Sequence, residues 1–267
     1  MPRISVIMGM YNSKSYDYLE KALNSILNQS YTDFEIIICD DGSTNDCVSW
    51  AKEIVGDDSR VKFIANEKNS GLAFSLNHCL EIAAGEYIAR MDDDDISDVK
   101  RFEKQIEFFE RYPEYDVVGT IADVCDENGI IYGEYLLEEI VTKKSFLWNS
   151  PILHPSIIAK KESLERVSGY RIAKETSRCE DYDLFMRMIA NNMKLYNIQE
   201  KLLTYRIVND TTKKYRPMKV RIEEAIVRYK GFKEMGILIK GLPFIIKPIL
   251  IGLIPAKLFA KIRENQY

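Results

Sequence analysis

Four short apolar runs, each followed by a turn and all but the last by a helical pattern, occupy the first 91 residues and leave few folds open. "ISVIM" (residues 4–8), "FEIIICD" (34–40), "RVKFIAN" (60–66) and "EYIARM" (86–91) are rich in β-branched residues and too short for buried helices, so they read as buried strands. Between the first two, Leu19, Ala22, Leu23, Ile26 and Leu27 recur at helical spacing. Further helices are expected over residues 45–55 and 72–84, the latter stopped at Gly85. Strands alternating with helices call for a mainly parallel sheet with right-handed crossovers and helices on both faces, an α/β fold. In such sheets, ligands bind beyond the carboxyl ends of the strands.

The remainder is less regular. Val99, Phe102, Ile106 and Phe109 mark an amphipathic helix that ends before Pro113, and "YDVVGTIADVCDENGIIYG" reads as two strands joined by a turn at Asp126 to Gly129. Residues 136–175 are mixed, with Pro-bounded extended structure followed by a short helix. "SRCEDYDLFMRMIANN" opens a helix with acidic residues in its first turn, where the helix dipole favours them. With 267 residues and 46% hydrophobic content, the chain can bury the core of one large domain plus an appendage. Five cysteines without paired spacing and two histidines argue against a disulfide framework or a zinc site and fit a reducing cytosol. The N-terminus lacks the charged and apolar regions of a secretory signal, and no nucleic-acid partner is expected.

Both acidic clusters, Asp40-Asp41 and Asp92 to Asp95, directly follow expected strands, so they should lie on one edge of the sheet and face a shared cleft. Four adjacent carboxylates raise the cost of ionising one another. A surface acidic loop would tolerate this through solvation. A divalent Mg²⁺ or Mn²⁺ ion, which takes a few carboxylate oxygens and leaves its other positions to water and phosphate, would cancel the repulsion. The glycine patterns of P-loop and Rossmann sites are missing. A magnesium-dependent phosphatase of the haloacid dehalogenase type or a nucleotidyltransferase is a rival reading, and a non-catalytic nucleotide-sugar-binding module is another. Against the phosphatase, "DDGST" follows the second strand rather than the first, and its aspartates are adjacent.

Five segments in order, "SVIMGMYN", "CDDGSTND", "NSGLAFSLNHCLEIAAGEYIARMDDDD", "HPSIIAKKESLERVSGY" and "CEDYDL", resemble the family 2 inverting glycosyltransferases of the GT-A fold across residues 3–210. The resemblance implies a metal-dependent inverting transfer of a sugar from a nucleotide diphosphate, taken as UDP, to a glycan or lipid-linked glycan acceptor, as in bacterial surface polysaccharide assembly. On that pattern, residues 1–212 form the catalytic domain, with 1–98 the nucleotide-binding half and 99–212 the acceptor-binding half. Met10 and Tyr11 would border the base, and Asp40 of the pair Asp40-Asp41 would accept a hydrogen bond from the uracil ring. Lys68 and Asn69 would line the nucleotide pocket. The D-x-D motif maps onto Asp92, Asp93 and Asp94, with Asp92 towards the ribose, Asp94 the main metal ligand and Asp95 the second acid of the D-x-D-D form. Glu180-Asp181 matches the catalytic pair whose aspartate is the general base. His154 would sit beside the diphosphate or acceptor, and Arg206 near the phosphates. Trp148 falls in the acceptor region, where it could stack on a sugar or pack in the core. Gly9 departs from the Pro or Thr that the family often carries beside the base pocket.

From Arg228 to Tyr267, eight Lys and Arg stand against two Glu, a surplus of +6 that leaves −10 for the rest of a chain with net charge −4. The apolar run over residues 241–262 is interrupted by Lys247 and Lys257 and by Pro243, Pro248 and Pro255, which makes it a poor spanning helix. A helical tail over residues 213–267 lying in the membrane interface, lysines toward anionic head groups, is the expectation, and a helix hairpin packed on the catalytic domain is the alternative. The expected place is cytoplasmic, peripheral on the inner face of the cell membrane.

Overall fold

A computed structural model of the protein describes residues 1–208 and 217–253. The first seven elements run β1 (Ile4–Met10), α1 (Tyr16–Leu27), β2 (Phe34–Asp40), α2 (Cys47–Val55), β3 (Val61–Ala65), α3 (Leu72–Ile82) and β4 (Tyr87–Arg90). This is the alternation read from the sequence. There follow β5 (Ile96–Ser97), α4 (Arg101–Arg111), β6 (Val117–Cys125), β7 (Ile131–Tyr135), β8 (Ile140–Val141), β9 (Ile158–Lys160), α5 (Lys161–Arg166), α6 (Glu180–Ala190) and β10 (Leu195–Arg206). Two helices close the described chain, α7 (Met218–Glu234) and α8 (Leu238–Gly252).

Among the described residues the strands form one sheet in the order β3-β2-β1-β4-β9-β6-β10-β5, with β7 beside β6 and β8 beside β10. The first four strands are parallel. Beyond β4 the sheet is mixed, because β9 runs antiparallel to both β4 and β6 while β6 and β10 are parallel. One continuous sheet therefore runs through residues on both sides of position 98.

Period-two alternation splits the core into two layers. Val6 and Met8 of β1 and Ile36 and Ile38 of β2 bury one face under Leu19, Leu23 and Ile26 of α1 and Phe102, Ile106 and Phe109 of α4. Ile7, Ile37 and Cys39 bury the other face under Leu76 and Cys79 of α3 and join a cluster that takes in Leu184, Phe185 and Met188 of α6. Each such side chain contributes about 1.5–3 kcal/mol of transfer free energy, which is why helices cover both faces. All five cysteines are free and buried.

The α7–α8 hairpin packs on the body, as in the alternative reading of the tail. Phe232 of α7 is part of the core beneath α3 and α6, and Gly231 lets α7 approach α6 so closely that a Cβ there would overlap Met186. No helix among the described residues is long and apolar enough to cross a membrane. Residues 254–262 of the apolar run, and the expected domain boundary at 212, lie outside the described residues.

Candidate active site

Three loops at the carboxyl end of the parallel strands are stitched to one another. After β1, Asn12 adopts φ 48° and its Oδ1 accepts hydrogen bonds from the Thr44 N–H (2.8 Å) and the Asn45 N–H (3.3 Å) of the loop after β2. The Ser13 hydroxyl donates to Asp93 Oδ2 of the loop after β4. The two acidic clusters thus share one rim, as their positions after the strands required.

Asp40 and Asp41 diverge. Asp41 is buried, and its carboxylate accepts from Asn66 Nδ2 (2.7 Å), the Ser70 N–H (2.8 Å) and the Gly71 N–H (2.8 Å), so it locks the loop after β3. Asp40, only half-buried, accepts from the Ser43 N–H at 3.0 Å. Lys68 and Asn69 are exposed on that locked loop, whose backbone passes over Gly42; a Cβ there would lie 2.9 Å from the Asn69 nitrogen, and the φ of +75° also suits glycine. Met10 is buried in the core, while Tyr11 is exposed at the rim.

A cleft of about 330 Å³ opens beside this rim, lined by Tyr11, Asn12, Lys14, Asp92, Asp94 and Arg206 among others. One oxygen from each of Asp92, Asp94 and Asp95 lies within 4.8 Å of the others. Asp95 is fully buried; its Oδ1 accepts from the Arg206 N–H (2.8 Å) and its Oδ2 has no partner. Burial, then the neighbouring Asp94 and Asp92 charges, pushes Asp93 up to about 7. The same two causes raise Asp94, against the pull of Lys14, Arg90 and Arg206, and hold Asp95 well above the carboxylate range. A convergent all-oxygen donor set, crowded, partly dehydrated and with one orphaned oxygen, suits a hard divalent cation. Arg206, at the end of β10, clamps this loop from outside: its Nε donates to the Asp94 carbonyl (2.8 Å) and its guanidinium lies 4.2 Å above the Tyr18 ring.

Beneath the aspartates lies Arg90, a charge on an otherwise apolar strand and the residue the sequence reading passed over. It is buried, forms an ion pair with Asp92, and leaves Nε and Nη1 without partners. Its positive charge reaches the second carboxylate pair as well, acting on Glu180 and on the Tyr170 hydroxyl. His154 Nε2 is 2.7 Å from the Tyr170 hydroxyl; burial, reinforced by Arg90, holds its pKa well below the ordinary value and the ring neutral. Tyr170 is fixed through its backbone by both amide atoms of Asn77, at 2.8 and 2.9 Å. Glu180 and Asp181 begin α6, and the buried Arg90 that pairs with Asp92 also acts electrostatically on Glu180, so both carboxylate groups feel one guanidinium charge. Asp183, also in that first turn, is a brace: it pairs with Arg187 at 2.7 Å, which in turn holds the Gly169 carbonyl.

Burial, then the Asp181 charge, raises Glu180 to about 7 from an ordinary 4.5. The folded protein thus keeps a proton that the unfolded chain has released between these values, and ionising Glu180 destabilises the fold as pH climbs through that window. The melting midpoint of Glu180→Gln should rise relative to the unsubstituted protein between pH 5 and pH 8. A parallel pair of melting curves against pH would refute this placement of the side chain.

The sequence profile described as glycosyl transferase family 2 matches residues 5–168. The chain belongs to that family. It is a glycosyltransferase, and the phosphatase and binding-module readings are set aside. The family 2 match includes the aspartate rim, Arg90 and His154, and it stops before Glu180, Asp181 and Arg206. This family 2 enzyme is 36% identical to EpsE of Bacillus subtilis (strain 168) over 266 residues, 99% of this chain and 94% of that one. It is 28% identical to the UDP-Gal:alpha-D-GlcNAc-diphosphoundecaprenol beta-1,3-galactosyltransferase of Escherichia coli, over 87% of this chain and 84% of that one. The crystal structure of S. aureus TarS 1–349 with UDP-GlcNAc has the same fold, with a TM-score of 0.69 at 20% identity over 92% of this chain and 73% of that one.

Proposed function

We propose that the enzyme transfers a sugar from a UDP-sugar, with inversion at the anomeric carbon, to a glycan or lipid-linked glycan acceptor in polysaccharide assembly at the inner face of the cell membrane. The observation that carries the reading is the convergent Asp92-Asp94-Asp95 cluster after β4, whose buried partner Arg90 also acts on Glu180 of the Glu180-Asp181 pair at the start of α6. The E. coli relative, named for a UDP-Gal donor and a diphosphoundecaprenol-linked acceptor, supports the donor and acceptor classes.

In this reading Asp40 accepts from the uracil ring, since Asp41 is committed to the loop after β3. Tyr11 borders the base, and the Lys68-Asn69 loop flanks it. Asp92 and Asp94 would hold Mn²⁺ or Mg²⁺ with Asp95 behind them, and a cation held there would supply stabilisation for negative charge on the leaving diphosphate. Asp181 accepts the proton of the acceptor hydroxyl as that oxygen bonds to the anomeric carbon from the face opposite UDP. The bond from that carbon to the diphosphate oxygen breaks, and its electron pair leaves with UDP. Glu180, raised to about 7, holds its own proton below that pH, which leaves the Asp181 carboxylate to take the acceptor's. Arg206 and Arg90 hold the aspartate loop in register from either side.

The test is a calorimetric titration of UDP with and without Mn²⁺. Mn²⁺ should tighten UDP binding by about tenfold or more, on the order of 1.4 kcal/mol. Equal affinity in both titrations would sink the metal-bridged reading.

A further inference from the structure

We propose that the exposed face of the α7–α8 hairpin docks on an anionic lipid bilayer and carries the Trp148 lip of the acceptor side to that surface. The inference deepens the lipid-linked-acceptor reading above by assigning the surface that would meet the membrane. Along α8 and its C-cap residue Leu253, Ile239, Leu242, Ile246, Leu250 and Leu253 succeed one another at intervals of three and four residues, and all are exposed, Ile239 by 85% and Leu253 by 69%. That is one stripe along a helix, about 21 Å long. The other side of α8 is already committed: Phe244 and Ile245 pack on the core, Pro248 is buried and Gly241 lies against Phe232. α7 adds Ile222, Ile226 and Tyr229, exposed at the same spacing. An apolar face of this kind needs a covering.

Charge selects the occupant. From Gly236 to Arg263 the sequence has five cations and no acid, whereas the chain before Arg228 carries −10. The α8 stripe, on a helix whose only charged residues are Lys240 and Lys247, fits an interface helix on anionic lipid, and two internal prolines with no spanning length fit a helix that lies along the surface.

Besides its core packing, the hairpin grips the catalytic body at the Trp148 lip. Lys247 Nζ donates to the Trp148 carbonyl (3.0 Å) and sits 3.6 Å above the Trp148 ring. Arg228 donates to the Leu147 and Trp148 carbonyls (3.1 Å each) and to the Tyr182 hydroxyl (3.2 Å). Tyr182 follows Asp181 directly and itself donates to the Phe146 carbonyl. The docking face, the lip and the residue next to the proposed base are thereby one connected unit.

The test is cosedimentation of the full chain with vesicles of phosphatidylglycerol and phosphatidylcholine, against phosphatidylcholine alone. We expect at least tenfold tighter binding to the anionic vesicles and at least tenfold loss in Ile246→Glu/Leu250→Glu, whose sites are exposed and whose melting midpoint should match the parent. The emission of Trp148, one of two tryptophans, should shift to shorter wavelength on docking, and the shift should vanish in Trp148→Phe. The proposal is overturned if the parent stays in the supernatant, if the double variant binds equally, or if the stripe proves to join two copies, seen as a dimer in the parent and a monomer in the variant. UDP titration with Mn²⁺ on the same samples separates the two ideas: retained UDP binding without vesicle binding refutes docking alone.

Discussion

Asp181→Asn should lower sugar transfer by about 10³-fold, within the range by which a positioned base accelerates a proton-coupled step, while UDP with Mn²⁺ binds as before. Asn keeps the shape of the side chain at the start of α6 and cannot accept the acceptor proton, so the loss should fall on turnover rather than on donor affinity. Glu180→Gln offers the contrast, because its carboxyl is raised to about 7 and holds its proton below that pH; its effect on turnover there should be much smaller. The measurement is transfer from a radiolabelled UDP-sugar under single-turnover conditions. Equal losses in the two variants would reassign the base.

Asp94→Asn should have opposite effects on stability and on activity. Without metal, removing one of several crowded and partly dehydrated carboxylates relieves repulsion that raises Asp93, Asp94 and Asp95 together. The variant should therefore melt higher than the parent by about 2–4 °C at pH 8, on the order of 1 kcal/mol. With Mn²⁺ the order should reverse, since the parent gains a ligated cation and the variant gains little. Transfer should drop by at least about 10²-fold. Melting scans with and without Mn²⁺ decide the matter, and a variant that is no more stable than the parent in the absence of metal would remove the electrostatic account of the loop.

Much of this was legible from residue pattern alone where the pattern was local. The alternation up to β4 follows from runs of Ile and Val with helical spacing between them, and both aspartate clusters could be placed on one edge because each directly follows a strand. What escaped depends on distant partners. β9 has three residues and no periodic signal, yet it sits at the centre of the sheet between β4 and β6. β10 breaks its own alternation, with register shifts between Ile198 and Leu203, so it reads as irregular. Asp40 and Asp41 look equivalent in sequence; only Asn66 and the backbone of Ser70 and Gly71, some 25–30 positions on, tell them apart. Arg90 did carry a signal, the one cation in "EYIARM", though its meaning required the apolar strand to be taken as buried and its cation as needing a counter-charge.

The junction strand β9 has a mechanical corollary. Hydrogen-bonded on one side to the strand that delivers the metal-type aspartates and on the other to β6, it joins the parallel half of the sheet to the mixed half without a break. Jaw-like closing of two lobes about a hinge within the sheet is then foreclosed, and any tightening around a substrate must come from the loops and helices that the unbroken sheet carries.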